Sequence, residues 1–554
     1  MAARPTRWFS RENLRRDAVA GLVLGIESVP DGLANGLLAG VNPLAGLYGY
    51  MFGLVGAAFF TGSALMAVQG TGSMALIVSD AGLESMKDPD AALYTLAMLT
   101  GIVMIIAGLL RAGRLVRFVP TAVMTGFTTA VGVNIVLGQL SNFTGYDSRG
   151  ANRVLKTFDL LAHLPSWSAP ALAVGAITVL TIMVLQPTRV GSFGLVLAVV
   201  LGSVVAALLD LWVRQGVVVL DDKVDVPSSL PIPVLPSLTD VPVLLLPAIS
   251  LAFVAMVQGA GVAASIPSLS GRPDVSRDLV GQGIGSIVSG AFQGVPVGGS
   301  TSASSLLVGG GARTRMAKLY AGIVIALIVL FASQIVAYIA MPALAGLLIV
   351  VGIGAIKPSR VYSVVKSGPL PSAVMGVTFV LTLLIPLQFA VLMGVGLGIV
   401  LFVAQQSNRV RVRRVVIEDD GRLRETDPPA AVGPGEICIL QPYGSLFFAS
   451  APVVEKQLPT VSRHSKRCVV ILRLRGTDQI GLSFVEVLRR LAADLRGADS
   501  TLKLVISEPA VMRQVEASGL VDELGAHNVY RGTEWVGQSL QRAYVDAKTE
   551  LSRS

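Results

Sequence analysis

Across 554 residues the chain is 53% hydrophobic and only 14% charged, with 59 glycines. Its apolar residues are concentrated before about residue 405, which excludes an ordinary soluble protein and fits a helical protein that crosses a membrane many times. The net charge of +9 does not point to nucleic acid, because the basic residues fall in short clusters between apolar segments.

Met1 to Asp17 is polar and basic, with Arg4, Arg7, Arg11, Arg15 and Arg16, and reads as a cytoplasmic N-terminal segment (1–17) without a cleavable signal. Apolar segments then run at roughly 18–40, 44–62, 65–80, 91–110, 115–140, 168–187, 190–213, 244–268, 277–293, 299–310, 319–340, 342–357, 370–386 and 387–405. Crossing the hydrocarbon core takes about 20 apolar residues, so most are full spans. The third and the tenth are too short.

Those two share a design. In Val295 to Ser305, V-P-V-G-G-S-T-S-A-S-S, Val295, Pro296 and Val297 suit an extended strand and Gly298 and Gly299 a turn. Ser300, Thr301 and Ser302 are good N-cap residues for the apolar helix that follows. About 229 residues earlier stands Val68-Gln69-Gly70-Thr71-Gly72-Ser73. Two glycine-opened half-helices, one per half of a hydrophobic chain, mark a site at the membrane midplane between inverted repeats. The halves, 18–213 and 244–405 within a transmembrane domain of 18–405, meet at the proline-rich loop from about Arg214 to Pro242. Seven segments per half make the second half inverted, and the same offset sets Met256 to Ala260 opposite Glu27 to Asp31.

Loop charges orient the chain. With a cytoplasmic N-terminus, the inside loops hold Arg111, Arg114 and Arg117, then Arg189, Arg272 and Arg277, then Arg313, Arg315 and Lys318. Lys357, Arg360 and Lys366 follow, and finally Arg409, Arg411, Arg413 and Arg414. Outside loops carry Glu84, Asp88, Asp90, Asp147, Asp159, Asp221, Asp222 and Asp225. This asymmetry is the positive-inside pattern of a multi-pass protein of the cell (inner) membrane, with both termini cytoplasmic.

After Gln406 the composition changes. Residues 406–432 read as a linker, and 433–548 as a small α/β domain. Its strands are expected at Glu436 to Leu446, Arg467 to Leu474 and Leu502 to Ile506, and its helices at Ser483 to Arg496 and Pro509 to Ser518. Cys438 and Cys468 both fall there and indicate neither a disulfide framework nor a metal site.

Each half-helix start presents unpaired N–H groups and the positive end of a dipole worth about half a charge. Such ends bind anions without a lysine or arginine. The candidate substrate-binding residues are therefore Gly70, Thr71, Gly72 and Ser73 on one side and Gly299, Ser300, Thr301 and Ser302 on the other, with Gln258 lining the site. The competing reading is that these small residues only let helices pack closely. Glu27 and Asp31, four apart in the first segment with Pro30 as a potential break, are expected to carry the coupling ion, a proton or sodium. Two carboxylates in a low-dielectric medium share a proton readily. The competing reading for Asp31 is a cap on a broken helix beside an aqueous vestibule. Asn134, Gln139 and Gln334 read as interhelical hydrogen-bond partners and His464 as solvated. No nucleophile–base pair or metal-ligand cluster is visible in the sequence, so neither an enzyme nor a cofactor is expected.

Several stretches resemble the SulP anion transporters, or sulfate permeases. They are Gly21-Leu22 through Pro30, Leu37-Leu38-Ala39-Gly40-Val41-Asn42-Pro43 with Gly46-Leu47-Tyr48-Gly49, and Gly281-Gln282-Gly283-Ile284-Gly285-Ser286 with Gly290 and Pro296-Val297. Gly311-Ala312-Arg313-Thr314-Arg315 is similar to the loop after the family's tenth segment, and the tail resembles a STAS domain. The resemblance implies an all-α polytopic domain of fourteen transmembrane segments in a seven-plus-seven inverted repeat, plus the cytoplasmic STAS domain. It further implies a core of segments 1–4 and 8–11 sliding past a gate of segments 5–7 and 12–14, commonly in a homodimer. The family commonly has a carboxylate where Gln258 stands and in several members an arginine where Ala303 stands. Phosphorylatable STAS domains carry Asp-Ser-Ser/Thr-Gly where this chain has Gly481-Leu482-Ser483-Phe484. The function implied is secondary transport of a small inorganic anion, sulfate or bicarbonate first and chloride or nitrate next. The alternatives are a nucleobase-type permease holding a flat ring on Glu27 and Gln258, and a non-transporting sensor whose STAS domain binds a cytoplasmic partner.

Overall fold

Each of the fourteen apolar segments carries a helix in the computed structural model, which describes residues 11–553 apart from 189–190, 192, 214–215, 225–226, 268–273, 419 and 463. Arg4, Arg7, Arg189, Arg214, Asp225 and Arg272 lie outside the described residues. The first half comprises α1 (Arg11–Leu38), α2 (Pro43–Ala57), strand β1 (Ala67–Gln69), α3 (Gly72–Ser79), α4 (Pro89–Leu109), α5 (Thr121–Thr144), α6 (Arg153–Ala162), α7 (Ala169–Leu185) and α8 (Phe193–Val213). The second comprises α9 (Val241–Ser265), α10 (Val275–Ala291), strand β2 (Gly298–Ser300), α11 (Thr301–Gly309), α12 (Met316–Phe331), α13 (Ser333–Ala337), α14 (Met341–Ala355), α15 (Pro358–Lys366), α16 (Pro369–Leu384) and α17 (Leu387–Asn408). Pro30 lies inside α1 without breaking it. Proline is tolerated in membrane helices because neighbouring groups take up the hydrogen bond it removes.

Among the described residues, five helical stretches are long and apolar enough to cross a membrane: Pro89–Leu109, Thr121–Thr144, Phe193–Leu211, Val241–Ser265 and Met341–Lys366. Several shorter apolar helices, such as Ala169–Leu185 and Met316–Phe331, accompany them. Leu180, Val184, Val204, Leu208 and Leu211 are all exposed on α7 and α8. In water that apolar surface would cost about 25 cal/mol per Å², whereas lipid tails accept it.

The helices pack in two groups. In one, α10 lies against α4, α2 and α9, while α1 lies against α2 and α12. A Cβ at Gly101 of α4 would stand 2.4 Å from the Gly283 carbonyl of α10, so this contact needs glycine. In the other group α5 packs on α14 and α16, and α7 on α8 and α14. Helix α17 joins it, since a Cβ at Gly394 would lie 3.2 Å from Val123 of α5.

The two short segments meet in an antiparallel ribbon, with Ala67 opposite Ser300, Val68 opposite Gly299 and Gln69 opposite Gly298. The extended residues are thus Gly298–Ser300 rather than Val295 to Val297, and Gly298 and Gly299 do not turn the chain. They are glycines for space: a Cβ at Gly298 would sit 2.8 Å from Met74 Sδ, and one at Gly299 3.1 Å from the Gly259 Cα.

The chain divides into two units at Gly398/Ile399, and the second holds a six-stranded sheet. Its strands are β3 (Arg411–Ile417), β4 (Leu423–Thr426), β5 (Ile437–Tyr443), β6 (Val469–Leu474), β7 (Thr501–Ile506) and β8 (Val529–Arg531), in the order β4-β3-β5-β6-β7-β8. From β5 to β8 the pairing is parallel. The expected linker 406–432 is corrected here: it contributes β3 and β4 to the sheet. Strand β3 carries three arginines in seven residues and β4 is only four residues long, which hid them among the basic loops. One face is covered by α18 (Ala451–Glu455), α19 (Leu482–Gly497), α20 (Pro509–Ala517) and α21 (Leu520–Leu524) and the other by α22 (Gln538–Arg553), which is beyond the predicted elements. Burial pushes the Cys438 thiol up to about 12, so it stays protonated and unreactive.

Candidate functional site

Both half-helices are capped by their own hydroxyls. Thr71 Oγ1 accepts the Met74 N–H at 3.4 Å at the start of α3, and Ser300 Oγ accepts the Ala303 N–H at 3.4 Å at the start of α11. The N–H groups of Gly72, Ser73, Thr301 and Ser302 take no hydrogen bond among the described residues. The chain leaves the ribbon toward α3 after Gln69 and toward α11 after Ser300, at opposite ends two strand steps or about 7 Å apart along it. Each start thus presents two free amides and the positive end of a helix dipole beside the ribbon, an arrangement that attracts an anion.

A stripe on α10 holds the chain approaching α11. Ser289 Oγ donates to the Val295 carbonyl at 2.6 Å, Ser286 Oγ accepts the Val297 N–H at 3.3 Å, and Gln282 Oε1 accepts the Gly299 N–H at 2.8 Å. Residues 282, 286 and 289 share one helical face, and 295, 297 and 299 are alternate residues of the segment that leads into α11. The zipper satisfies non-helical backbone within the membrane domain, as the absence of water there requires. It also corrects Gly299 as an anion donor, because its amide is already engaged. Gly70 likewise supplies space: a Cβ there would lie 2.4 Å from Asn35 Oδ1 and 3.0 Å from the Tyr50 ring. Ser304 Oγ accepts the Ala67 N–H at 2.9 Å and donates to the Ser300 carbonyl at 2.6 Å, tying α11 to β1.

Gln258 of α9 uses both ends of its amide on the start of α3. Thr71 Oγ1 donates to Gln258 Oε1 at 2.9 Å, and Gln258 Nε2 donates to Ser73 Oγ at 3.0 Å. It is thus a tie between helices as well as a lining residue. The cavity beside it, with a volume of about 30 Å³, lies between α5, α9, α16 and α17 and is lined by Phe127, Phe253, Val257, Thr378 and Gln258. That is room for on the order of one water.

Glu27 and Asp31 share one face of the unbroken α1. Tyr50 OH donates to Asp31 Oδ2 at 2.8 Å. Glu27 is 6% exposed, and its carboxylate takes no hydrogen bond among the described residues. The pair adjoins the ribbon, since Tyr50 also packs at Gly70, and Gln69 Nε2 donates to Ser28 Oγ at 2.7 Å. Asn134 donates to the Thr382 carbonyl at 2.9 Å and so bridges helices as expected, and Gln139 accepts from Asn142 of its own helix.

Two polar ties escaped sequence reading. Asp80, just past α3, accepts the Leu387 N–H at the start of α17 at 2.9 Å and pairs with Arg153 of α6 at 2.9 Å. At the other end of α1, Asp17 accepts the Arg313 and Thr314 amides at 2.6 and 3.0 Å, and Lys318, counted above as a loop charge, is fully buried with Nζ 3.1 Å from Thr61 Oγ1. Except for the Asp80–Arg153 pair, these contacts join residues more than 200 positions apart. The sequence signal was an isolated carboxylate at a segment end.

Residues 14–378 match the sulfate permease family, and residues 428–536 match the STAS domain. The bicarbonate transporter BicA of Picosynechococcus is 29% identical over 463 residues, covering 80% of this chain and 81% of its own. The Arabidopsis thaliana protein named sulfate transporter 4.1, chloroplastic, is 26% identical over 558 residues, covering 94% and 79%. Among solved structures, the murine Solute Carrier 26 family member A9 anion transporter in its inward-facing state superposes with a TM-score of 0.82 at 18% identity, over 98% of this chain and 93% of that one.

Proposed function

The chain belongs to the sulfate permease family, and on that premise we propose that it is a secondary active carrier of a small inorganic anion of the sulfate or bicarbonate class. The observation that carries this reading is the pair of half-helix starts on an antiparallel ribbon, with four amides that donate no hydrogen bond among the described residues. Moderate binding of this kind suits a carrier, which must also release its cargo. The names of the relatives from Picosynechococcus and Arabidopsis agree with those two anions.

Thr71, Gly72, Ser73, Ser300, Thr301 and Ser302 form the anion site, and Gln258 holds its α3 side in place. Glu27, nearly buried and without a hydrogen-bond partner among the described residues, carries the coupling proton or sodium ion, with Asp31 beside it. The group α1–α4 with α9–α12 is the moving core, and the group containing α5, α7, α8, α14, α16 and α17 is the gate, in fourteen spans of a seven-plus-seven repeat. Asp80 reaches from core to gate and holds one side of the path shut. The protein works as a homodimer in the cell membrane with cytoplasmic termini, and its STAS domain supports assembly or binds a cytoplasmic partner.

Proteoliposome uptake of labelled sulfate, bicarbonate and uracil under a pH or sodium gradient tests the reading. Uptake of one of the anions, lowered by Ser73→Ala with Ser302→Ala, is expected. Uptake of uracil alone, or of none of the three, would overturn it.

A further inference from the structure

At one edge of the membrane domain the ends of α2 and α4 and the start of α10 enclose an open cavity of about 1050 Å³. Arg111, Arg114 and Arg277 line it, all exposed, and none has an ion-pair partner among the described residues. Arg111 and Arg114 are three apart, the former capping and the latter within a 3₁₀ turn, so their side chains fall on the same side. The acid in the cavity, Asp274, is occupied in capping α10, its Oδ1 accepting the Ser276 and Arg277 amides at 3.1 and 3.2 Å.

The cradle is built at a cost. Arg111 has φ +59, the left-handed conformation that normally calls for glycine after a helix, which costs a larger residue about 1–2 kcal/mol. The turn then lies flush on α10: a Cβ at Gly113 would sit 2.9 Å from the Ser276 nitrogen, and one at Gly108 2.8 Å from the Ser276 carbonyl. Around the three guanidinium groups stand exposed Phe59, Phe60 and Leu109, the last 72% accessible.

We propose that this cavity binds the headgroup of an anionic phospholipid. Charge complementarity selects the occupant: guanidinium forks hold a phosphate in paired, charge-assisted hydrogen bonds. The collar of Phe59, Phe60 and Leu109 selects a lipid over a free phosphate, because it offers the acyl chains apolar surface beside the charge. The site is separate from the half-helix starts and does not depend on what is transported.

Native mass spectrometry of the full chain in detergent, titrated with phosphatidylglycerol and separately with phosphatidylcholine, tests it. The first phosphatidylglycerol should bind about tenfold tighter than phosphatidylcholine, as one charge-assisted contact provides. Arg111→Gln/Arg114→Gln/Arg277→Gln should erase that preference, and the matching triple lysine variant should restore most of it. All three positions are exposed, so an unchanged melting temperature identifies a folded variant, and the single variant Arg114→Gln serves should the triple one unfold. A preference retained in the glutamine variants overturns the proposal. So does displacement of phosphatidylglycerol by inorganic phosphate at equal concentration, which would assign the cavity to a soluble anion.

Discussion

Asp80 gives the sharpest test of the moving core. Its carboxylate joins the end of α3 to α17 through the Leu387 N–H and to α6 through Arg153, with both paired side chains less than one-fifth exposed. Hydrogen bonds to charged groups contribute about 1.5–3 kcal/mol each, and partial exposure holds this pair of contacts to a total of about 2–3 kcal/mol. If both break when the core slides, Asp80→Ala should raise the population of the opposite state by a factor of about 30–150. The assay is labelling of a single cysteine introduced at Val257, which lines the small cavity beside Gln258, by a membrane-impermeant thiol reagent added on the Asp80 side. The native thiols are buried in the second unit, so background is low. A labelling rate at least 30-fold higher in Asp80→Ala is expected, with no further rise on adding Arg153→Ala. An unchanged rate would refute the latch and with it the assignment of α3 and α17 to bodies that separate.

Other outcomes follow from the same contacts. Glu27→Gln should abolish proton- or sodium-driven uptake while sparing anion exchange, and intact coupling in that variant would clear Glu27 of the role. Gln258→Leu strands the hydroxyls of Thr71 and Ser73 and should lower the stability of the membrane domain by about 1–3 kcal/mol, read as a loss of melting temperature. Adding Thr71→Ala to it should cost less than the two changes summed. In the second unit, burial raises the Glu550 carboxyl, but hydrogen bonds from Thr501 and Lys503 and the Lys503 charge outweigh it, leaving a net lowered value. Its contribution is therefore full above the ordinary glutamate value of about 4.3 and is lost as pH falls through the lower folded value. Hydrogen exchange in α22 should accelerate over that acid window in the native chain, and less so in Glu550→Gln.

The two half-helices were legible because their signals are local. Thr71 and Ser300 sit where an N-cap must, directly before runs too short to span a bilayer. The carboxylates of α1 were equally plain, since few ionisable groups occur inside an apolar segment. Strands β3 and β4 were not, because Arg411, Arg413 and Arg414 read as a basic loop until β5 supplies their partner. Gln282 stands in a glycine-rich stretch whose sequence gives no sign of its role, although it shares a face with Ser286 and Ser289.

By itself, the sequence determined the number and order of apolar segments, the clustering of arginine in the loops between them and the two interrupted helices, because hydrophobic length, charge and capping act within a few residues. Tertiary structure alone decided which amides stay unspent. Gln282 takes the Gly299 N–H, Gln258 clasps Thr71 and Ser73 from 187 and 185 residues away, and Asp80 reaches Leu387 across 307. A hydrogen bond is settled by where two chain segments meet in space, and no local pattern of residues encodes that meeting.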